Sequence, residues 1–335
     1  MRAMAMIRRG WGAQARRVAF TVALTTAATV LVAARAQPAN QGRSDADWLQ
    51  AIQNAAQRSN YSGTIYYQQG AEVRSSRIVH QFDGAVSYER LQVLDGERRE
   101  YLRKGDAVQC LLPESKRVIF EKRPIGGNFP ALSSAAPTDI LRFYNLRLGS
   151  LDRVADVECQ IILLEPKDSV RYGYRLWAER TTGLLLRAQM LNENQDVIQQ
   201  MAFTDVRLGE PFDATRLKPS WSTEGWHVDK VEAKPVDLGW SLQVPDGFRQ
   251  LSAVMRRFSR GGGRDALQAV YSDGLATFSV FIENDQDGTP PPKWSKGPIN
   301  VYVHRVGDTT ITVVGEVPAS TVREVALSVK APSAR

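Results

Sequence analysis

Short runs in which apolar and polar residues alternate fill most of the chain from residue 64 to residue 208. Such alternation is typical of strands with one buried face, and Asp-Gly pairs at residues 83–84 and 95–96 indicate hairpin turns between the runs. The predicted strands cover residues 64–69, 73–82, 86–94, 97–103, 107–112, 117–122, 157–164, 172–179, 184–191 and 197–208. This part of the chain is therefore predicted to form a large antiparallel sheet.

Two segments of the same region have helical spacing instead. Ser44 is a natural N-cap, and Asp47 three residues later completes a capping-box pattern. The apolar stripe that follows consists of Trp48, Leu49, Ile52, Ala55 and Ala56. A second helix is predicted from Pro137 to about Asn145. Because only these two helices can cover the apolar face of the sheet, we expect a half-barrel wrapped around them, with room for an apolar cavity.

A polar stretch containing two prolines, residues 209–220, is predicted to be a linker between two domains. The N-terminal domain is then residues 44–208, and the C-terminal domain is residues 221–330. Strands of the C-terminal domain are predicted at residues 226–232, 240–244, 250–259, 267–272, 277–283, 299–306 and 310–317. Apolar residues at helical spacing in residues 322–329 predict a last helix. The fold class is mainly β, α+β, with a large antiparallel half-barrel and a smaller α+β domain.

The formal net charge of +7 comes mostly from the first residues of the chain. Residues 1–36 contain six of the 43 basic residues and no acidic residue, and residues 18–34 are uncharged and mostly apolar. Together with the small residues Ala34 and Ala36, this pattern predicts a secretory signal peptide cleaved near Ala36; a short membrane anchor is the alternative. The remaining 37 basic and 36 acidic residues nearly balance, so no nucleic-acid partner is expected.

The chain has two cysteines, and on predicted strands both of them face apolar surface. In an oxidising compartment, a disulfide between Cys110 and Cys159 is predicted. It would close a loop of about 50 residues and contribute roughly 4 kcal/mol in the chain-entropy model. Two buried thiols are the alternative.

The sequence contains no recognisable catalytic or metal-binding pattern. None of the three histidines, His80, His227 and His304, has another histidine or a cysteine at metal-ligand spacing. Nucleophile-elbow, metalloprotease-helix, P-loop and dinucleotide-binding motifs are also missing from the sequence. We therefore expect no enzymatic activity, no cofactor and no metal.

One predicted strand of the C-terminal domain is apolar on both faces. Phe278 lies on one face and Phe281 on the other, which is typical of a central strand or of a strand at an interface. The candidate partner-binding residues are Tyr271, Phe278 and Phe281.

Several sequence blocks along the mature chain are recognisable together. They are DGERRE at residues 95–100, RVAD at 153–156 followed by CQ at 159–160, RYGYRLW at 171–177, TGLLLR at 182–187, VYSDGL at 270–275, FSVF at 278–281 and VVGEVP at 313–318. In this order, the blocks resemble the RseB/MucB family of periplasmic regulators of the envelope-stress sigma factor.

The resemblance implies an N-terminal domain similar to the lipoprotein carriers LolA and LolB. It also implies a C-terminal domain that helps to hold the periplasmic part of an inner-membrane anti-sigma factor. Such a protein resides in the periplasm and shields the anti-sigma factor from proteolysis until lipid or lipopolysaccharide-like signals release it. A periplasmic carrier of lipids or lipoproteins is the alternative. The sequence leaves the oligomeric state open, including a homo-oligomer.

The resemblance further suggests how a lipid would act on the protein. Acyl chains would enter when the helices part from the sheet, and each buried CH₂ would contribute about 0.8 kcal/mol. The predicted linker would let the domains shift relative to one another. The candidate lipid-cavity residues are Trp48, Ile52, Ile140, Leu141 and Tyr144.

Overall fold

The alternating runs assemble into two sheets in the computed structural model, which describes residues 42–122, 135–231, 234–258, 264–284 and 294–332. The strands of the first sheet are β1 (Tyr61–Gln69), β2 (Glu72–Phe82), β3 (Ser87–Val93), β4 (Arg99–Lys104), β5 (Ala107–Leu112), β6 (Arg117–Lys122), β7 (Tyr144–Val154), β8 (Val157–Pro166), β9 (Gly173–Glu179), β10 (Leu185–Leu191), β11 (Val197–Leu208) and β12 (His227–Val231). They lie in the order β12-β6-β5-β4-β3-β2-β1-β11-β10-β9-β8-β7, so this sheet is open. Only the β12–β6 pair is parallel among the described pairs of this sheet.

The second sheet has seven described strands. They are β13 (Lys234–Pro235), β14 (Arg249–Phe258), β15 (Arg264–Ser272), β16 (Thr277–Asn284), β17 (Trp294–Lys296), β18 (Ile299–Val306) and β19 (Thr309–Gly315), in the order β13-β14-β15-β16-β19-β18-β17. The described helices are α1 (Asp45–Arg58), α2 (Pro137–Phe143) and α3 (Ala319–Ser328), and a short 3-10 helix covers Ala214–Leu217. The predicted fold class is confirmed.

Helix α1 begins where the capping pattern predicts. The Asp47 amide donates to Ser44 Oγ at 3.2 Å, and the Ser44 amide donates to Asp47 Oδ2 at 3.0 Å. Ser44 Oγ also donates to Asp47 Oδ2 at 2.7 Å, and this bond and the one from the Ser44 amide hold the pKa of Asp47 below its usual range. The two hydrogen bonds from amides satisfy donors that the first turn of a helix leaves without partners. The buried stripe differs from the prediction at two positions, because Gln53 is buried and Ala56 is exposed.

Helices α1 and α2 pack on one face of the first sheet, against β7 to β10. We call the resulting apolar core the helix-side cluster; its buried members are Trp48, Leu49, Ile52, Ile140, Tyr144, Leu146, Ile162, Leu164, Tyr174, Leu176, Ala178, Ala188, Met190 and Leu275. Leu275 comes from the turn between β15 and β16, so the second domain contributes to the core of the first. A separate core lies between the second sheet and α3, which presents Val322, Val325 and Ala326.

The structure contains a long strand, β7, that the alternation pattern does not predict, and the preceding helix ends at Phe143 instead of Asn145. The register between β7 and β8 shifts between Leu148 and Leu151. A bulge of this kind exchanges the inward and outward faces of a strand, so the regular alternation is lost in the sequence.

The predicted domain boundary also requires correction. Residues 209–220 do not form a separate linker, because they are hydrogen-bonded along the first sheet. Ser62 Oγ donates to Glu210 Oε2 at 2.6 Å, and the Ser220 amide donates to Glu100 Oε2 at 2.9 Å. The predicted linker is therefore attached to the N-terminal domain.

The chain crosses between the sheets after β12. This strand was expected in the C-terminal domain, but it pairs with β6, and Arg117 Nε donates to Asp229 Oδ2 at 2.8 Å. Residues 240–244 are not a strand; Ser241 alone forms a bridge, with Lys330. Strand β17 lies at residues where the sequence predicts no strand.

The two cysteines are not joined by a disulfide. Cys110 lies on β5 and Cys159 on β8, and seven strands separate them in the sheet. At about 4.8 Å between strands, this separation greatly exceeds the roughly 7 Å that a disulfide permits between Cα atoms. Burial raises the pKa of the Cys159 thiol to about 12, so this thiol is inert at neutral pH.

Some predictions fall outside the described residues. These are the signal peptide of residues 1–36 and its cleavage site near Ala36. Among the helices that the structure does describe, none is both long and apolar enough to cross a membrane.

His80 on β2 is a fully buried titratable residue of the first sheet. Its ring stacks on Tyr61 with 4.9 Å between the centroids, and its Nδ1 lies 2.8 Å from the Ser59 carbonyl oxygen. Burial lowers the pKa of His80, and the Ser59 carbonyl and Glu89 carboxylate oppose this effect. The buried ring is therefore neutral at pH 7.

We predict that the free energy of unfolding falls as the pH drops below 6.5, the ordinary pKa of histidine. In this range the unfolded chain binds a proton that the folded chain does not, which costs up to about 1.4 kcal/mol per pH unit. His80→Gln should remove this part of the pH dependence. Urea unfolding between pH 7 and pH 5 measures it.

The control is His227→Gln, because the His227 side chain is 73% exposed. Because this variant retains His80, its stability should still fall as the pH drops below 6.5. Identical curves for the unaltered protein and His80→Gln would contradict the prediction.

Candidate functional site

The junction between the two domains is built around Arg171, in the connection between β8 and β9. Its side chain is 0% exposed. Nε donates to Asp168 Oδ1 at 2.9 Å, Nη1 donates to Asp273 Oδ2 at 2.6 Å, and Nη2 donates to the Asp246 carbonyl oxygen at 2.6 Å. Each guanidinium nitrogen thus has an acceptor, and two of the three acceptors belong to the second domain.

Aromatic rings surround the same guanidinium. Its Cζ lies 4.7 Å from the ring centroid of Phe143 and 5.1 Å from that of Phe248. The ring of Tyr144 is 5.8 Å away. In this dry environment the aromatic faces attract the cation and exclude water that would weaken the ion pair.

Asp273 lies in the turn between β15 and β16, and its side chain is 1% exposed. Its Oδ1 accepts from the amides of Leu275 at 2.8 Å and Ala276 at 2.7 Å, and its Oδ2 accepts from Arg171. Burial raises the pKa of Asp273, whereas the two amides and the guanidinium act in the opposite direction. This coordination makes a buried ion pair tolerable, because both carboxylate oxygens of Asp273 accept hydrogen bonds.

Two glycines allow the domains to approach closely enough for this pair. Gly247 has φ +88°, and a Cβ there would lie 2.5 Å from the Phe143 ring. Gly274 has φ +103°, and a Cβ there would overlap the Ala135 side chain. Any larger residue at either position would push the second domain away from α2.

Further polar contacts join the domains around the buried pair. Asn300 Nδ2 donates to Tyr172 Oη at 3.0 Å, and Thr321 Oγ1 donates to the Val170 carbonyl at 3.1 Å. Three further ion pairs between described residues cross the junction: Arg249–Asp139 at 2.5 Å, Arg256–Glu121 at 2.7 Å and Lys296–Glu72 at 2.7 Å.

A cleft of about 240 Å³ opens beside the buried pair, between α2 and the turn that leads into β14. Its lining residues are Asp139, Arg142, Phe143, Gly247, Phe248, Arg249 and Asp273. Both domains contribute to it, so its shape depends on how they are joined.

The structure brings the five candidate lipid-cavity residues together in the helix-side cluster. Trp48, Ile52, Ile140 and Tyr144 are each at most 2% exposed. Leu141 is partly buried and packs against the same cluster. They pack against each other and the sheet. A role in lining a lipid cavity stays a prediction, which requires the helices to move.

The partner-binding candidates are not gathered on a surface. Tyr271 and Phe278 are 3% and 1% exposed, and their rings stack at 5.1 Å inside the core under α3. Phe281 lies on the opposite face of β16 from Phe278, and its side chain is half-buried. Tyr271 and Phe278 are therefore core residues, because the strand that carries Phe278 is central in its sheet.

Sequence reasoning missed Arg171 and Asp273 as functional candidates. Both lie inside blocks that carry the family resemblance, RYGYRLW and VYSDGL. A charged residue within an apolar strand-forming block is the one local sign that each needs a buried partner.

Comparison with protein families covers both domains. The MucB/RseB N-terminal domain matches residues 44–221, and the MucB/RseB C-terminal domain matches residues 234–330. The chain belongs to the MucB/RseB family. The predicted resemblance is confirmed, and the segment between the two matches contains β12, where the structure shows the chain leaving the first sheet.

Relatives named as regulators span nearly the whole chain. The sigma factor AlgU regulatory protein MucB of Pseudomonas aeruginosa is 31% identical over 89% of this chain and 95% of that protein. The sigma-E factor regulatory protein RseB of Salmonella typhimurium is 28% identical over 84% of this chain and 89% of that protein.

Solved MucB structures share the fold. The structure of the Pseudomonas aeruginosa MucA/MucB complex has a TM-score of 0.70, at 27% identity, and covers 87% of this chain and 99% of that one. A crystal structure of MucB in complex with MucA(peri) has a TM-score of 0.68, at 28% identity, and covers 87% of this chain and 100% of that one.

We predict that Arg171→Met lowers the free energy of unfolding by about 3–5 kcal/mol, because Asp273 would be left buried without its cation. Methionine retains apolar contact with the two phenylalanine rings. Urea unfolding measures the loss. Arg147→Met is the control: its pair with Glu165 is exposed, so a loss below about 1 kcal/mol is expected. A similar small loss for Arg171→Met would contradict the role assigned to the buried pair.

We also predict that Gly247→Ala lowers the melting temperature more than Gly209→Ala. Both glycines have positive φ, +88° and +70°, so both substitutions cost about 1–2 kcal/mol in backbone strain. Only at Gly247 does the new methyl group meet another residue, Phe143, which adds about 1–3 kcal/mol. Calorimetry of the two variants measures the difference. Equal melting temperatures would show that the close approach of Phe143 does not matter.

Proposed function

We propose that this protein is a periplasmic adaptor that binds the periplasmic segment of an inner-membrane anti-sigma factor. The observation that carries the proposal is the similarity to MucB in complex with MucA(peri), which extends over 87% of this chain at a TM-score of 0.68. Both domains of this chain match the family, so the proposal concerns the whole two-domain unit.

We propose further that the bound adaptor protects its partner from regulated proteolysis. An extended periplasmic segment is cut when a protease reaches its backbone, so burying that segment against a folded surface prevents cleavage. The same proposal includes release by a lipid or lipopolysaccharide-like signal.

The helix-side cluster supports the lipid part of the proposal. Trp48 and Ile52 on α1 and Ile140 on α2 cover apolar sheet surface that acyl chains would otherwise contact. At about 0.8 kcal/mol per buried CH₂, a few methylene groups supply the roughly 1–3 kcal/mol that coupling two binding sites requires. Displacement of α2 would also disturb the domain junction, because Phe143 and Tyr144 contact Arg171.

The proposal is tested with residues 37–335 and a fluorescently labelled periplasmic segment of the anti-sigma factor from the same organism. Anisotropy should show saturable binding, and the bound segment should be cut more slowly by the protease that starts its destruction. A segment of the same composition in scrambled order is the control.

Binding that does not saturate at about 100 μM, or that the scrambled segment matches, would contradict the adaptor function. Transfer of a labelled lipoprotein between vesicles, without binding of the segment, would favour the carrier function instead.

A further inference from the structure

Strand β12 is the last part of the first sheet before the chain enters the second domain. It is five residues long and lies parallel to β6, with His227 opposite Arg117 and Val231 opposite Glu121. Parallel pairing is slightly less stable per residue than antiparallel pairing. Because β12 ends the strand order, β6 is its only neighbour among the described strands. The strand is therefore attached along one side only.

The side chains of β12 strengthen this attachment very little. Those of His227, Val228 and Lys230 are exposed. Asp229 pairs with Arg117, with 2.7 Å between Oδ2 and Nη2, but these side chains are 29% and 48% exposed, and such pairs contribute little. Strand β12 is thus held mainly by backbone hydrogen bonds. A segment with so few buried contacts is at the low end of local stability.

The chain is fixed more firmly on both sides of β12. Before it, the Ser220 amide and hydroxyl each donate to Glu100 at 2.9 Å, and the Glu100 side chain is 0% exposed. After it, the Val236 amide donates to the Ala253 carbonyl oxygen at 3.0 Å, and Val236 packs against the core that contains buried Leu238. Release at either anchor would deprive a buried carboxylate of two donors or uncover apolar core, so β12 detaches more readily than its flanks.

The length of chain between these anchors limits how far the domains can separate. An extended chain spans at most about 3.6 Å per residue. While β12 is paired, five steps along the chain join Val231 to Val236, so Val236 stays within roughly 18 Å of the end of β12. Once β12 is released, residues 221–235 connect the anchors Ser220 and Val236 and span up to roughly 55 Å.

We propose that β12 is a releasable strap: the two domains separate widely only when residues 227–231 detach from β6. In the closed form, the strap holds the start of the second domain beside β6. There Arg256 of β14 pairs with Glu121 of β6 at 2.7 Å, and Glu121 is opposite the last residue of the strap. When this pair and the buried pair of Arg171 and Asp273 are broken, further separation pulls β12 away from its C-terminal end.

The first test is a disulfide that staples the strap to β6. Val118 and Val228 lie directly opposite each other, and the spacing of about 4.8 Å between neighbouring strands is within the range that a disulfide spans. The staple is Val118→Cys/Val228→Cys in residues 37–335, with Cys110→Ala and Cys159→Ala to prevent other disulfides.

The separation of the domains is measured by single-molecule energy transfer. The dyes are attached through unnatural amino acids at two exposed positions, Asp106 between β4 and β5 and Leu327 on α3. Arg171→Met breaks the buried pair and should produce an open, low-transfer population when the staple is reduced. Oxidation of the staple should lower that population at least about tenfold, as expected when a covalent bond replaces weak edge pairing. The reduced form of the same molecule is the control.

Proline variants test the strap without cysteines and with the buried pair intact. The His227 amide donates to the Lys116 carbonyl oxygen at 2.9 Å, so by alternation the Asp229 amide faces β6 and the Val228 amide faces away. Asp229→Pro removes a hydrogen bond to β6 and should enlarge the open population severalfold. Val228→Pro is the matched control, because an edge strand tolerates proline where the amide faces solvent. Asp229→Ala keeps the amide and isolates the loss of the ion pair with Arg117.

An open population of equal size with the staple oxidised and reduced would overturn the proposal, because the domains would then separate with β12 in place. Equal effects of Asp229→Pro and Val228→Pro would also overturn it, and so would the absence of an open population in every variant. The proline variants decide the question if Arg171→Met does not fold. Neither test involves the anti-sigma segment, so the outcome is independent of the adaptor function.

Discussion

The arrangement of the two domains depends on one buried charge. Arg171 belongs to the first domain, yet two of the three acceptors around its guanidinium are supplied by the second, at Asp273 and Asp246. A buried ion pair of this kind contributes little net stability compared with an apolar contact. Its effect is on geometry, because a domain orientation that leaves the buried guanidinium without the acceptors from the second domain is strongly penalised. The positive-φ glycines beside it permit that single orientation.

The local signals of the sequence predicted much of each sheet. Alternation together with Asp-Gly turns predicted most of the strands of the first sheet, and the pair of Ser44 and Asp47 predicted the start of α1. Both signals act within a few residues. Strand β7 could not be predicted in this way, because its bulge interrupts the alternation. The sheet to which β12 belongs could not be predicted either, since a strand of five residues carries no information about which edge it will join.

The candidate site was less predictable for a related reason. Arg171 and Asp273 are 102 residues apart, and nothing near either residue shows which partner it has. The same limit applies to the cysteines, whose inward direction was predictable but whose separation across seven strands was not. Tyr271 and Phe278 have the composition of an interface but serve as core, because α3 covers their face of the sheet. Burial by a distant element is a property of the fold and not of the segment.

The position of β12 has a consequence for how the junction behaves. This strand is at one edge of the first sheet, whereas Arg171 follows β8, next to the opposite edge. Besides the other contacts across the junction, the second domain is thus joined to the first by the polypeptide itself near one end of the strand order and by the buried ion pair near the other. When the ion pair separates, the polypeptide remains as a tether and keeps the detached face at a high effective concentration. Reclosure is then a unimolecular event whose rate does not depend on protein concentration, so the two-domain form is restored without a search for a separate partner.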